Sequence, residues 1–221
     1  MKLYNYFRSS ASFRVRIALN LKGLSFEYIP VHLAKGEHKK SEFTRIADEG
    51  LVPMLQTGGE SLSQSMAIME YLDETHPTPA IMPADALGRA KVRALSQTIA
   101  CEIHPLNNLR ILKYLVNDLK VSEEDKNTWY AQWTRTGLEA FEKQLTTLAK
   151  ARAANNLPKS VYCYGVTPTM ADCCLVPQIF NAKRFKVNLD GLPLTMAAHE
   201  ACMKLDAFIQ AQPSNCPDFE P

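Results

Sequence analysis

The chain has 221 residues, enough to bury a full core and to hold one large or two small domains. Its 46% hydrophobic and 22% charged residues are ordinary for a globular protein, and a formal net charge of +2 gives no basic surface that would argue for nucleic acid or membrane. No apolar run approaches the roughly 20 residues of a membrane span, the N-terminus has no signal-peptide pattern, and the five histidines are too dispersed for a metal signature. Six cysteines without a C-x-x-C pair fit packing thiols in a reduced, cytoplasmic setting.

Strand and helix signals alternate at first. Leu3–Phe7 reads as a strand, Ser12–Lys22 as a helix closed by Gly23, and Phe26–Leu33 as a second strand. Glu37–Ile46 is helix-compatible. Leu51–Gln56 reads as a strand, Gly58-Gly59 as a tight hairpin turn, Ser61–Gln64 as its partner, and Met66–Thr75 as a helix capped by Ser65. The order is βαβαββα over residues 1–77. Residues 78–86, with Pro79 and Pro83, read as a linker.

Residues 87–221 read as all-helical. Ala90–Ala100 leads to Pro105, where a kink is expected, and Leu106–Leu119 continues. A long helix spans Glu124–Ala151 with Trp129, Trp133, Leu138, Phe141, Leu145 and Leu148 inward. Thr169-Met170-Ala171-Asp172 matches a capping box that opens a buried helix. A last helix covers Thr195–Gln210, and the proline-bearing tail from Pro213 is expected to be loosely ordered.

The stretch Arg8-Ser9-Ser10-Ala11-Ser12 joins the first strand to the first helix. Its hydroxyls and the free N–H groups of the helix start can cap the helix or favour a bound anion. The element order has the outline of a thioredoxin-like fold, whose redox members need a C-x-x-C here. Ser9-Ser10-Ala11-Ser12 has no sulfur. Thiol chemistry at this turn would therefore require a bound small-molecule thiol.

These features resemble the zeta class of glutathione transferases, in the maleylacetoacetate and maleylpyruvate isomerase family. The resemblance rests on Ser9-Ser10-x-Ser12-x-Arg14-Val15-Arg16-Ile17-Ala18-Leu19, Leu51-Val52-Pro53 and Gln64-Ser65. In the second half it rests on His104-Pro105-Leu106-Asn107-Asn108, Thr169–Asp172, Leu175–Gln178 and Arg184-Phe185. It implies the glutathione transferase fold: an α/β thioredoxin-like N-terminal domain and an all-α C-terminal domain, as a homodimer. It implies glutathione as cofactor, with Ser9, Ser10 and Ser12 at the thiol end, Val52 before a cis Pro53 on the cysteinyl part, and Gln64 and Ser65 on the γ-glutamyl carboxylate. His38 matches a further glutathione-contacting position, and Asn107, Asn108 and Arg110 match another contacting stretch. Ala11 replaces a cysteine and Phe13 a tryptophan common in the family, and Ala47–Gly50 replaces an asparagine-proline turn.

The activity implied is isomerisation of a dianionic maleyl substrate in aromatic amino acid and aromatic-compound breakdown. A thiolate adds to the cis double bond, the resulting single bond rotates, and elimination gives the trans product. Arg8, Arg110 and Arg184 are candidate carboxylate clamps, because a guanidinium can grip a carboxylate with two N–H groups, and His104 is a candidate donor or acid. Each has a structural alternative. Arg8 could serve in a strand-end ion pair, Arg110 as a solvated helix residue, Arg184 as a helix-dipole partner and His104 as a structural histidine. Two other functions stay open: a general transferase or peroxidase acting on small electrophiles, and a non-catalytic glutathione-fold binding protein.

Overall fold

The computed structural model describes residues 1–220. A four-stranded sheet is built from β1 (Lys2–Asn5), β2 (Glu27–Pro30), β3 (Met54–Thr57) and β4 (Glu60–Ser63), in the order β2-β1-β3-β4. β1 and β2 are parallel, as a strand–helix–strand crossover demands, and the other pairs are antiparallel. The hairpin between β3 and β4 turns on Gly58 and Gly59, whose φ values of 59° and 86° suit a turn that needs two left-handed residues.

Side chains alternate across this sheet. Tyr4 and its register partner Met54 face the short helix α2 (Ser41–Thr44), where Phe43 packs with its ring centroid 6.1 Å from that of Tyr4. Leu3 and Leu55, fully buried, pair on the opposite side. The helices α1 (Ser10–Leu21) and α3 (Ser65–Thr75) pack on one another and bury Phe13, Ile17, Leu19, Ile68, Met69 and Leu72.

The chain divides into two compact units, and the boundaries differ from those expected. Residues 1–82 group with the segment from Met203, and Pro83–Cys202 form the second unit. The front of the expected linker is strapped to the first unit. The buried Lys22 ammonium donates to Asp73 at 2.8 Å and to the carbonyls of His76 and Pro79 at 2.7 and 2.9 Å, and Asp73 also accepts from the Ile81 N–H at 2.8 Å. The expected last helix is two: α9 (Pro193–Cys202) in the second unit and α10 (Asp206–Gln210), which packs on α1.

The tail is held, not loose. The Phe7 N–H donates to Asp218 Oδ2 at 3.2 Å, the Tyr28 hydroxyl donates to Asp218 Oδ1, and the Glu220 carboxylate meets Lys35 at 2.5 Å and His32 at 3.1 Å.

In the second unit α4 (Ala86–Gln97) runs into a π-helical stretch, Thr98–Ile103, and then α5 (His104–Asn107). The widened turn precedes Pro105, whose ring would clash with a carbonyl four residues back in a regular helix. The chain breaks at Asn108, three residues after the expected kink, before α6 (Leu109–Asn117). α7 (Glu123–Ala154) presents Leu138, Phe141 and Leu145 to the core, together with Tyr130 and Thr134, while Trp133 is exposed. Gly137 admits Ile103 of the π-helical stretch, since an added Cβ would lie 2.2 Å from the Ile103 side chain.

α8 (Met170–Arg184) starts at the expected capping box. The fully buried Asp172 accepts from the N–H groups of Cys163 at 2.9 Å and Thr169 at 2.8 Å, from the Thr169 hydroxyl at 2.9 Å, and from the Cys202 thiol. Burial raises its pKa although these bonds favour the carboxylate. Asp172→Ala would remove the N3 half of the capping box and leave buried donors unsatisfied, at about 1–3 kcal/mol. A clear fall in the urea midpoint of unfolding is expected; an unchanged midpoint would show that the cap does not hold α8.

Candidate active site at the start of the first helix

β1 gives way to a turn at Phe7 whose last residue, Ser9, is the N-cap of α1. Its Oγ accepts from the Ser12 N–H at 3.2 Å, and its own N–H donates to the Tyr6 carbonyl at 3.0 Å. Ser10 opens the helix and is buried, whereas Ser9 is half-buried. Ser12 is wholly buried, and its Oγ accepts from the Tyr6 N–H at 3.4 Å, so its hydroxyl braces the turn from inside. The first turn of α1 carries no acidic side chain. The helix dipole favours negative charge near Ser9 and Ser10.

Two buried arginines of α1 tie this turn to its surroundings. Arg16 donates to Asn5 Oδ1 at 3.0 Å, to the carbonyls of Tyr6 and Phe7 at 3.4 and 3.1 Å, and to the Ala211 carbonyl at 3.0 Å. Burial lowers its pKa from the ordinary value. Arg14 donates to Ser65 Oγ at 3.3 Å, linking the starts of α1 and α3. Ser65 was expected as the cap of α3, but it is the first helical residue, and Gln64 holds the cap position. Gln64 has φ 65° and ψ 112°, a strained backbone for a residue with a Cβ. Its side-chain amide donates to Glu49 Oε2 at 2.9 Å.

The Val52–Pro53 peptide is cis, and Val52 shares one apolar cluster with Tyr6, Phe7 and Met54. Pro53 is buried. His38 lies half-buried on the single 3-10 turn Glu37–Lys39. Arg8 is exposed, its guanidinium 5.0 Å from the Phe7 ring centroid and donating to the Glu220 carbonyl at 3.0 Å. The first unit thus gathers Arg8, Ser9, Ser10, Val52, Pro53, Gln64 and Ser65 at the end of β1, the entry to β3 and the starts of two helices.

The other named residues lie in the second unit. His104 begins α5 and is half-buried. Asn107 and Asn108, expected against glutathione, turn their amide N–H groups into the unit, while the buried Asn107 Oδ1 has no hydrogen-bond partner among the described residues. Asn107 donates to Thr134 Oγ1 at 2.9 Å and to the Tyr130 carbonyl at 3.3 Å. Asn108 caps α6, accepting from the N–H groups of Arg110 at 3.1 Å and Ile111 at 3.2 Å, and donates to the Pro105 carbonyl at 3.0 Å. Arg110 is exposed in the first turn of α6. Arg184, exposed in the last turn of α8, lies 4.9 Å from the ring centroid of Phe185, which stacks on Tyr130 at 3.8 Å. Tyr130 therefore connects the Arg184 end of α8 to the Asn107–Arg110 stretch. Burial pushes its phenol up to about 12, so it stays a neutral packing group.

Sequence reasoning missed the Glu49–Gln64 contact, the Arg14–Ser65 link and the tail on Arg8. For Glu49 the only signal was its place in the stretch that departs from the family pattern.

Among the described residues no group of three or more His, Cys, Asp or Glu is placed to hold a metal ion. Residues 1–74 match the family model described as Glutathione S-transferase, N-terminal domain. The chain is 48% identical to a maleylpyruvate isomerase of Ralstonia sp. over 99% of both chains. A solved holo structure of a maleylpyruvate isomerase, described as a bacterial zeta-class glutathione transferase, superposes with a TM-score of 0.92 at 48% identity over 100% of both chains. A maleylacetoacetate isomerase from Anaeromyxobacter dehalogenans, solved with glutathione in its active site, matches with a TM-score of 0.85 at 37% identity over 99% of this chain and 97% of that one. With such similarity running through both units, the chain belongs to the zeta class of glutathione transferases, in the maleylacetoacetate and maleylpyruvate isomerase family.

Proposed function

We propose that the protein is a glutathione-dependent isomerase that converts maleylpyruvate or maleylacetoacetate to the trans isomer in aromatic-compound breakdown. The observation that carries the reading is the turn at Ser9–Ser12, an anion-favouring helix start that supplies no sulfur of its own. The donor set suits glutathione. Hydroxyls and a helix start favour a thiolate at Ser9 and Ser10, and a second helix start, with Gln64 and Ser65, favours a carboxylate. Val52, ahead of Pro53, would hold the cysteinyl part through its main chain, and His38 is a further candidate contact. When bound, glutathione supplies the thiol that turns the conjugated cis double bond into a single bond free to rotate.

The protein's residues prepare that chemistry. Ser9 and Ser10 donate toward negative charge at the thiol end, and Ser12 keeps the turn in shape. Arg8, Arg110 and Arg184 are the candidate grips for the substrate's two carboxylates, and their charge also favours the negative charge that develops on its carbonyl oxygen. His104 is a candidate donor. Asn108, whose amide is engaged through both its oxygen and its nitrogen, acts as a positioning residue through the Arg110 N–H, whereas Asn107 keeps a buried Oδ1 without a hydrogen-bond partner among the described residues and remains a candidate glutathione contact. A homodimer in the cytoplasm belongs to the same reading; among the described residues no helix is long and apolar enough to cross a membrane.

Maleylpyruvate and maleylacetoacetate, supplied separately with and without glutathione, test the reading. Glutathione-dependent formation of the trans product is expected from at least one. Turnover of neither, with aromatic or chlorinated electrophiles consumed instead, would make the protein a general transferase. Ser9→Ala or Ser10→Ala should raise the bound thiol's pKa by about one unit, which costs roughly tenfold in thiolate at neutral pH. The acid limb of the rate profile should then move to higher pH while glutathione affinity changes little; two unmoved profiles would remove the hydroxyls from the chemistry. Arg110→Ala should raise KM for the dianion about tenfold, in line with a charge-assisted hydrogen bond, and KM for glutathione far less. The opposite ranking would make Arg110 a glutathione ligand.

A further inference from the structure

The C-terminal segment forms a frame around Arg8. The guanidinium lies 5.0 Å from the Phe7 ring centroid, and one of its N–H groups donates to the Glu220 carbonyl at 3.0 Å. Phe219, between the two tail acids, meets Phe7 edge-on at 5.6 Å with an interplanar angle of 83°. Both contacts depend on where residues 219 and 220 sit, and two anchors set that position. Asp218 receives the Phe7 N–H on one oxygen and the Tyr28 hydroxyl on the other. Glu220 receives Lys35 and His32 on its carboxylate. The first anchor is the better placed, because Phe7 is fully buried and its carbonyl is already held by Arg16 at 3.1 Å. The Phe7 main chain is thus gripped at both its N–H and its C=O, one residue before Arg8.

We infer that Asp218 is a positioning residue for the substrate clamp Arg8, acting through the tail that it pins to Phe7 and Tyr28. The inference rests on the reading of Arg8 as a carboxylate clamp. In free solution a guanidinium on a long side chain samples many rotamers, and each must be frozen before it can grip a carboxylate. Stacking on Phe7 and donation to the Glu220 carbonyl do that freezing before substrate arrives, and Asp218 keeps the carbonyl in place. An electrophile without a carboxylate makes no use of the Arg8 grip, so its turnover should depend far less on this arrangement.

A double-mutant cycle tests the inference: wild type, Asp218→Ala, Arg8→Ala and the double variant, each assayed with glutathione and maleylpyruvate and, in parallel, with the neutral electrophile 1-chloro-2,4-dinitrobenzene. For the dianion, Arg8→Ala should lower kcat/KM at least about tenfold and Asp218→Ala roughly five- to tenfold, the scale expected when a positioned group is loosened. The double variant should be no worse than Arg8→Ala alone. In Asp218→Ala the neutral electrophile should change less than about twofold, and Asp218→Asn, which keeps an acceptor for the Phe7 N–H, should restore most of the activity. Unchanged dianion turnover in Arg8→Ala would remove the clamp on which the inference rests. A normal Arg8→Ala penalty with an Asp218→Ala penalty that persists in the double variant, or that falls equally on the neutral electrophile, would overturn the inference alone. Should Asp218→Ala not fold, Tyr28→Phe runs the same cycle by releasing one of the two donors to Asp218.

Discussion

The first unit turns on one buried cation. Arg16 is 2% exposed, and its guanidinium donates to four oxygens that belong to the Asn5 side chain, the two main-chain residues after it and Ala211. Hydrogen bonds from a charged donor contribute about 1.5–3 kcal/mol each, and a guanidinium is more easily desolvated than an ammonium. These bonds explain why β1 stops where it does. The Val31 N–H still bonds the Asn5 carbonyl at 2.8 Å, but the next two carbonyls turn to Arg16 and leave the ladder. The chain is thereby free to enter the Ser9 turn in one conformation. The same guanidinium fastens a carbonyl 195 residues further along, which brings the C-terminal segment onto the first unit.

From that constraint the rest of the unit follows. With the end of β1 held, Ser9 can cap α1, and Ser12 can accept from Tyr6 rather than reach solvent. Arg14 carries the order to α3 through Ser65. Two helix starts are thus held by the arginines of one helix, and both offer a positive dipole end. The second unit uses the same economy with opposite charge. Asp172 gathers donors from Cys163, Thr169 and Cys202 at the start of α8, and Arg184 ends that helix against Phe185 and Tyr130. Glu142 does likewise for α9, accepting from the N–H groups of Leu194 at 3.0 Å and Thr195 at 2.8 Å.

The chemistry of the opening turn was legible from residue identities, because a cap or an anion site at a helix start is a matter of a few neighbouring residues. Three serines, two arginines and no cysteine in the stretch Arg8–Arg14 already excluded a redox pair and pointed to a borrowed thiol. The Thr169–Asp172 box, the Gly58-Gly59 hairpin and the βαβαββα order are local in the same sense, and each takes its expected form. The inward face of α7 departs from what its spacing implies. Trp133 has the right spacing but is exposed, and Thr134, an unpromising core residue, is buried where it accepts from Asn107.

Tertiary structure alone decided what depends on residues distant in the chain. It made Gln64 the strained cap of α3, with Glu49 on its amide, and it turned the Asn107 N–H groups to α7 and the Asn108 amide to the break before α6. It moved the unit boundary to Met203 and turned a proline-bearing tail into a frame for Arg8. None of these could be read from periodicity or caps, since a short irregular segment gains order only from partners such as Phe7, Tyr28 and Lys35 that lie far away in the chain. The sequence by itself determined which chemical groups the turn offers; the folded chain determined which of them are held, by what, and which are left to act.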